Sequence, residues 1–175
     1  PIAIILSGGP SSVYEAGAPT LDSKIFEAGI PIFGICYGFQ VMAAALGGVV
    51  TQTGKSEFGR TALSHNANSK LLAGLPEEFS IWMSHGDSVT TAPAGFTSTA
   101  STADTAIVAF ENSDAQFAGV QFPDVLHSEN GQEILRRWLI DIVGCKPVWN
   151  SENIVNTEVE KIRALVGSGR VLCGL

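Results

Sequence analysis

Cysteine, basic residues and long apolar runs are all scarce in this chain, and each scarcity removes a class of protein. The three cysteines among 175 residues, Cys36, Cys145 and Cys173, are odd in number and widely spaced. That argues against a disulfide framework and gives no metal-ligand spacing, so the expectation is a reducing, cytoplasmic setting and no metal. Only 15% of the residues are charged, and ten Lys and Arg against seventeen Asp and Glu leave a formal charge of -7. The basic residues stand singly, so no stripe is available to neutralise a nucleic-acid backbone or to hold an anionic membrane surface. No apolar run approaches membrane-spanning length, and no charged segment leads into an apolar stretch with a cleavage site. The expected partners are therefore small molecules or protein, with neither nucleic acid nor membrane among them.

What the chain does have is enough apolar sequence for a core. At 45% hydrophobic residues it is long enough for one domain with a sizeable interior, and it carries no internal repeat or low-complexity tract. Residues 1–7 form a near-continuous apolar run, which reads as a strand buried on both faces of a parallel sheet. Such a strand is a poor beginning for a domain and no Met precedes it, so the expectation is a chain truncated at its front. Loss of a central strand would leave unpaired backbone groups, and poor folding of the chain alone is expected.

Gly8-Gly9-Pro10 ends that strand. Residues 22–28 read as a short helix with Asp22 as N-cap and Gly29 closing it, 30–35 as a second buried strand, and 37–46 as a helix stopped by Gly47-Gly48. This is the α/β order. Beyond it, short strands are expected at 49–53, 58–63, 79–83, 97–101, 107–110 and 116–122. A helix follows over 130–143, with Ile134, Leu135, Trp138, Leu139 and Ile142 on one face. Gly144 to Pro147 reads as a linker, 151–166 as a helix capped by Ser151, and 170–175 as another buried strand.

Between the second strand and its helix lies Gly34-Ile-Cys36-Tyr-Gly38. Glycines on either side let the backbone turn sharply without Cβ clashes, which is the logic of a nucleophile elbow carrying sulfur. The cysteine then sits at a helix N-terminus, where partial positive charge is expected to favour thiolate and lower its pKa. An acyl-transfer nucleophile also needs donors for the developing oxyanion. The Tyr37 N–H and the Gly8-Gly9 turn are the candidates.

Separated motifs together resemble the GMP synthase branch of the class I (Cys-His-Glu triad) glutamine amidotransferase family. They are Ile4-Ile-Leu-Ser-Gly-Gly-Pro-Ser-Ser-Val13, Gly34-Ile-Cys-Tyr-Gly-Phe-Gln40, Phe58-Gly-Arg60, Trp82-Met-Ser-His-Gly-Asp87 and Gly119-Val-Gln-Phe122. The resemblance implies a flavodoxin-like mixed sheet with flanking helices, glutamine as substrate and a γ-glutamyl thioester on Cys36. It also implies released ammonia spent on converting XMP to GMP. Gln40, Ser84, His85, Gly86 and Asp87 match positions around the glutamine site, Asp87 either as a partner for the substrate ammonium or as a residue that merely caps a turn. His85 also has a plainer alternative, a loop histidine satisfying nearby backbone groups.

The same resemblance divides the chain into an amidotransferase domain lacking front elements (1–144), a linker and helix (145–168), and the first strand of an ATP pyrophosphatase synthetase domain (169–175). That synthetase domain would be the partner in cis, and ATP and Mg would belong to it. This chain would carry no cofactor.

One departure stands out. The family triad runs Phe-His-Pro-Glu-Val with a second His two residues later, whereas this chain reads Phe122-Pro123-Asp124-Val125-Leu126-His127. In that register the base histidine is absent and Asp124 replaces the orienting glutamate. His127 matches the second, non-triad histidine and lies several residues beyond the gap. Loss of a general base of this kind costs about 10²–10⁴-fold in rate, so an impaired enzyme is expected, or a pseudo-glutaminase that binds glutamine or a synthetase partner without turnover. A γ-glutamyl peptidase on the same sheet would need a histidine equally.

Overall fold

Successive residues of a strand point to opposite faces of a sheet, so a strand covered on both faces buries neighbours in different clusters. Ile32 and Phe33 do this: both are fully buried, one in each of two clusters. Ala109 and Phe110 divide in the same way, as do Phe117 and Ala118. The computed structural model describes residues 1–114, 116–147 and 151–172, the side chains of 151–153 excepted.

Strands β1 (Ile4–Leu6), β2 (Ile32–Ile35), β3 (Val49–His65), β4 (Glu78–Thr91), β5 (Thr97–Ser101), β6 (Ala109–Asn112) and β7 (Phe117–Val120) form one seven-stranded sheet in the order β1-β2-β7-β6-β5-β3-β4. The pairs β1–β2 and β2–β7 are parallel, and every other pairing is antiparallel. Helix α1 (Tyr37–Ala45) packs Phe39, Met42 and Ala43 onto one face, with Phe39 stacked on Phe110 at 4.2 Å between ring centroids. Helix α2 (Gly131–Arg136) brings Ile134 to the other face. It continues as a π-helical segment over Arg137–Ile142 that buries Trp138 beside Phe33. The widened turn is closed by the Val143 N–H on the Trp138 carbonyl at 2.9 Å. The mixed sheet with helices on both faces is the expected α/β class.

The short helix over Ser23–Glu27 is 3₁₀, and the Asp22 carboxylate caps it by accepting from the Lys24 N–H at 3.0 Å. Two expectations about β1 and β3 fail. The run at 1–7 is not buried on both faces: only Ile4–Leu6 is strand, it pairs with β2 alone among the described strands, and Ile5 is 44% exposed. The apolar run marks a strand but cannot say whether the sheet continues on its far side. The separate short strands at 49–53 and 58–63 are instead one long β3, hairpinned with β4. The polar stretch 53–56 reads as a break but is an irregularity inside the ladder, between the Gln52–Asp87 and Glu57–His85 pairings, with Gly54 at φ 73°.

The described residues fall into two compact units, Pro1–Cys145 and Lys146–Leu175. The second contains helix α3 (Ser151–Val166), closed by Gly167 at φ 54°, whose N–H bonds the Arg163 carbonyl at 2.9 Å. The Ser151 side chain, expected as its cap, lies outside the described residues. Of the strand expected over 170–175, residues 170–172 carry no regular structure, and 173–175, Cys173 included, lie outside the described residues. Among the described residues no helix is long and apolar enough to cross a membrane.

Candidate active site

Cys36 joins the end of β2 to the start of α1 with φ 51° and ψ −107°. A non-glycine residue held there stores about 1–3 kcal/mol of strain, tolerated only where the surroundings fix it. They do: the Cys36 N–H bonds the Val120 carbonyl at 2.9 Å, the Gly38 N–H bonds the Ser7 carbonyl at 3.1 Å, and the Gln40 N–H bonds the Cys36 carbonyl at 3.0 Å. The flanking glycines are needed for close approach. A Cβ on Gly38 would lie 2.2 Å from the Leu6 carbonyl oxygen, and one on Gly34 would lie 2.7 Å from the Phe39 Cα. The cysteine itself holds a positive φ.

The electrostatics correct one expectation. Burial pushes the Cys36 thiol above its ordinary range, and the Tyr37 N–H at the helix start opposes this only in part. Desolvation of the thiolate outweighs the helix terminus.

A cavity of about 540 Å³ opens beside the sulfur. It gathers Gly8 and Gly9 from the loop after β1, Cys36 and Gln40 from the elbow and α1, and Ser84, His85, Gly86 and Asp87 from β4. Nearly all the residues singled out in the sequence thus share one space. Gly8 lies against the cysteine, where an added Cβ would be 3.5 Å from Cys36 Cβ. Tyr37 turns its ring toward Gly9 and donates its hydroxyl to the Pro19 carbonyl at 2.7 Å, which fastens the glycine loop to α1.

Asp87 is the hub of the far wall. Its carbonyl accepts from Gln40 Nε2 at 2.9 Å and faces His85 Nδ1 at 2.9 Å, and its carboxylate accepts from the Tyr14 hydroxyl at 2.5 Å. That bond raises the Tyr14 pKa, because ionising the phenol would remove the donor beside a carboxylate. His85 is therefore on a strand and buried, not on a loop, and its Nε2 lies 3.1 Å from the buried Glu57 carboxylate. Glu57, Tyr14 and Gln121, whose Oε1 accepts from Gln40 Nε2 at 3.2 Å, hold residues that line the cavity and are missed by sequence reasoning. For Glu57 the available signal is its position directly before the Phe58-Gly-Arg60 motif.

The segment after β7 does not join them. Phe122 is fully buried and Pro123 lines the Cys36 cavity, but the chain then turns outward. The Asp124 carboxylate accepts from the His127 backbone N–H at 3.1 Å and lies 2.7 Å from its Nδ1. The His127 side chain is 83% exposed and borders a different cavity, with Arg60 and Trp82. His65 is held between the Asn66 and Pro76 carbonyls. Among the described residues, His85 is the histidine that lines the cysteine's cavity.

A strained cysteine elbow at the ends of parallel strands thus opens on a cavity walled by a glycine turn and by β4, on a mixed sheet with helices on both faces. Residues 1–142 match the glutamine amidotransferase class-I family, and the chain belongs to that family. Among curated proteins it is 52% identical over 176 residues to a glutamine-hydrolyzing GMP synthase of Thermobifida fusca (strain YX), covering 100% of this chain and 33% of that protein. It is 55% identical over 181 residues to the protein of that name in Leifsonia xyli subsp. xyli (strain CTCB07), covering 100% of this chain and 36% of that protein. The chain thus spans about a third of the length of the curated relatives it matches. A crystal structure from Thermoplasma acidophilum, provisionally described as one subunit of a GMP synthase, superposes with a TM-score of 0.68 at 29% identity, covering 91% of this chain and 76% of that one. A glutamine amidotransferase of Thermotoga maritima shares the fold, with a TM-score of 0.62 at 22% identity and coverage of 92% and 65%.

Proposed function

We propose that this chain is the glutaminase part of a GMP synthase-type enzyme, with the glutamine pocket and nucleophile built and the base missing. The observation that carries the reading is the shared cavity of Cys36, the Gly8-Gly9 turn and Asp87. Glutamine would enter with its ammonium toward the Asp87 carboxylate and its side-chain amide at the sulfur. Attack by Cys36 Sγ on the amide carbon forms a C–S bond, and the oxyanion falls to the Tyr37 N–H and the Gly8-Gly9 backbone. Collapse breaks the C–N bond and releases ammonia, and water then cleaves the γ-glutamyl thioester to glutamate. The relatives' name, glutamine-hydrolyzing GMP synthase, supports spending the ammonia on GMP synthesis; amination of XMP in a synthetase domain, with ATP and Mg bound there, belongs to the same proposal.

Proton transfer is the weak step. The thiol must lose a proton and the leaving nitrogen must gain one, and the positioned imidazole that would do both is absent between Phe122 and Pro123. Asp124 is engaged with exposed His127, and neither lines the cavity. The burial-raised thiol pKa compounds the loss. These observations favour, as a second reading, a pseudo-glutaminase that binds glutamine without hydrolysing it.

Both readings require the cavity to bind glutamine. Alkylation of Cys36 by iodoacetamide, followed by mass spectrometry, should be slowed by glutamine and much less by asparagine, whose amide is one methylene short of the sulfur. Equal labelling with and without glutamine would overturn both readings.

A further inference from the structure

We infer that the buried pair Glu57 and His85 shares a single proton and acts as a positioning unit, fixing the Asp87 main chain against Gln40 so that its carboxylate can receive the substrate ammonium. This assigns a role to Glu57 and rests on the glutamine reading above.

Counting hydrogens leads to the shared proton. His85 Nδ1 lies 2.9 Å from the Asp87 carbonyl oxygen, which can only accept, so Nδ1 carries a hydrogen. Nε2 lies 3.1 Å from Glu57 Oε2, so one further proton is held between the ring and the carboxyl, whichever atom carries it. Neither nitrogen keeps an unengaged lone pair. His85 therefore shares a cavity with Cys36 but is not its base.

The carboxyl is fixed in turn from the other side. Oε1 accepts from the Thr102 hydroxyl at 2.7 Å and Oε2 from the Thr105 hydroxyl at 2.5 Å. Thr102 is oriented for this because its oxygen already accepts the Thr105 N–H at 3.0 Å. Side-chain exposures of 2% for His85 and 7% for Glu57 place the pair away from bulk solvent, where a lost partner is costly.

The location explains why such a unit is needed. Glu57 and His85 face each other where the β3–β4 ladder is interrupted, and the ladder resumes at Gln52 and Asp87. Across this gap the Asp87 carbonyl is gripped from two sides, by His85 on its own strand and by Gln40 on α1. Loss of Glu57 would leave Nε2 without a partner and let the ring rotate away from Asp87. The cysteine elbow, held by separate bonds to Val120 and Ser7, would be untouched.

The test measures glutamine affinity of the whole chain by calorimetry, alongside ¹⁵N NMR of the histidine rings and the rate of Cys36 alkylation without glutamine. Glu57→Ala should weaken glutamine binding by about tenfold or more, the effect of one hydrogen bond to a charged group, with the alkylation rate unchanged. Glu57→Gln should stay much closer to the parent, because its amide can donate to a neutral His85 Nε2. In the unmodified chain the His85 ring should show a protonated Nδ1. An unprotonated Nδ1 would overturn the inference, as would a folded Glu57→Ala variant with parental affinity. If Glu57→Ala does not fold, Glu57→Gln and the NMR of the parent decide. If the parent binds no glutamine, the functional reading fails and takes the assigned role with it, while the ring spectrum still tests the shared proton separately.

Discussion

The two segments that should supply the halves of the reaction are built in opposite ways. The Cys36 elbow is buried, strained at φ 51° and tied to strands on both sides. The segment at 123–129 leaves the sheet after one proline on the cavity wall and satisfies its acid and its histidine with each other in the open. A glycine anchors each. Gly38 lets α1 close on the Leu6 carbonyl, and Gly131 lets α2 close on Val125, where an added Cβ would lie 1.5 Å from the carbonyl oxygen. The lesson is that a cysteine elbow is held by packing and backbone bonds, independently of the segment at 123–129.

The contrast can be broken most severely at those glycines. Gly38→Ala and Gly131→Ala press a methyl onto backbone that cannot yield, and each should cost more than the ~1–3 kcal/mol of ordinary overpacking, measured by urea unfolding. Next in size is the reactivity of the cysteine. With its pKa raised by burial, the alkylation rate of Cys36 should keep climbing past pH 9.0, and placing an imidazole beside it should shift that profile to lower pH. A plateau well below pH 9.0 in the unmodified chain would show that the helix terminus wins after all.

A smaller effect belongs to the helix that follows the outward segment. Hydrogen bonds from Arg136 hold the Glu133 pKa down from 4.5 to about 2. A depressed carboxylate pKa contributes stability that is present above the unfolded value and lost as pH falls through the folded one. The thermal midpoints of the parent and Glu133→Gln should therefore differ slightly above pH 4.5 and converge toward pH 2. The smallest effect expected is none: His127→Ala should leave Cys36 alkylation and ammonia release unchanged, and a clear fall in either would join the two segments that the structure separates.

Much of the nucleophile side is legible in the sequence because its signals are local. Gly34 and Gly38 around Cys36, the Asp22 cap and the stop at Gly47, which has φ 88°, act within a few residues. The fold class follows from the same alternation of apolar runs and glycines. What cannot be read depends on register or on competing forces. Glu57 becomes the partner of a cavity residue only because β3 and β4 pair it with His85 across 28 positions and around an irregularity at 53–56. The direction of the Cys36 pKa depends on burial, which a motif does not report. The run at 1–7 reads as doubly buried because an apolar run reports a strand and not what covers each of its faces.

The central claim is that this chain holds a complete cysteine site lacking only its base. It is tested most directly by ammonia release from glutamine, measured for the chain as it stands, for a version with His inserted between Phe122 and Pro123, and for that version carrying Cys36→Ala. The account predicts a rise of about 10²–10⁴-fold on insertion, abolished by Cys36→Ala. Full activity in the unmodified chain, or none after insertion in a protein that still binds glutamine, would contradict it.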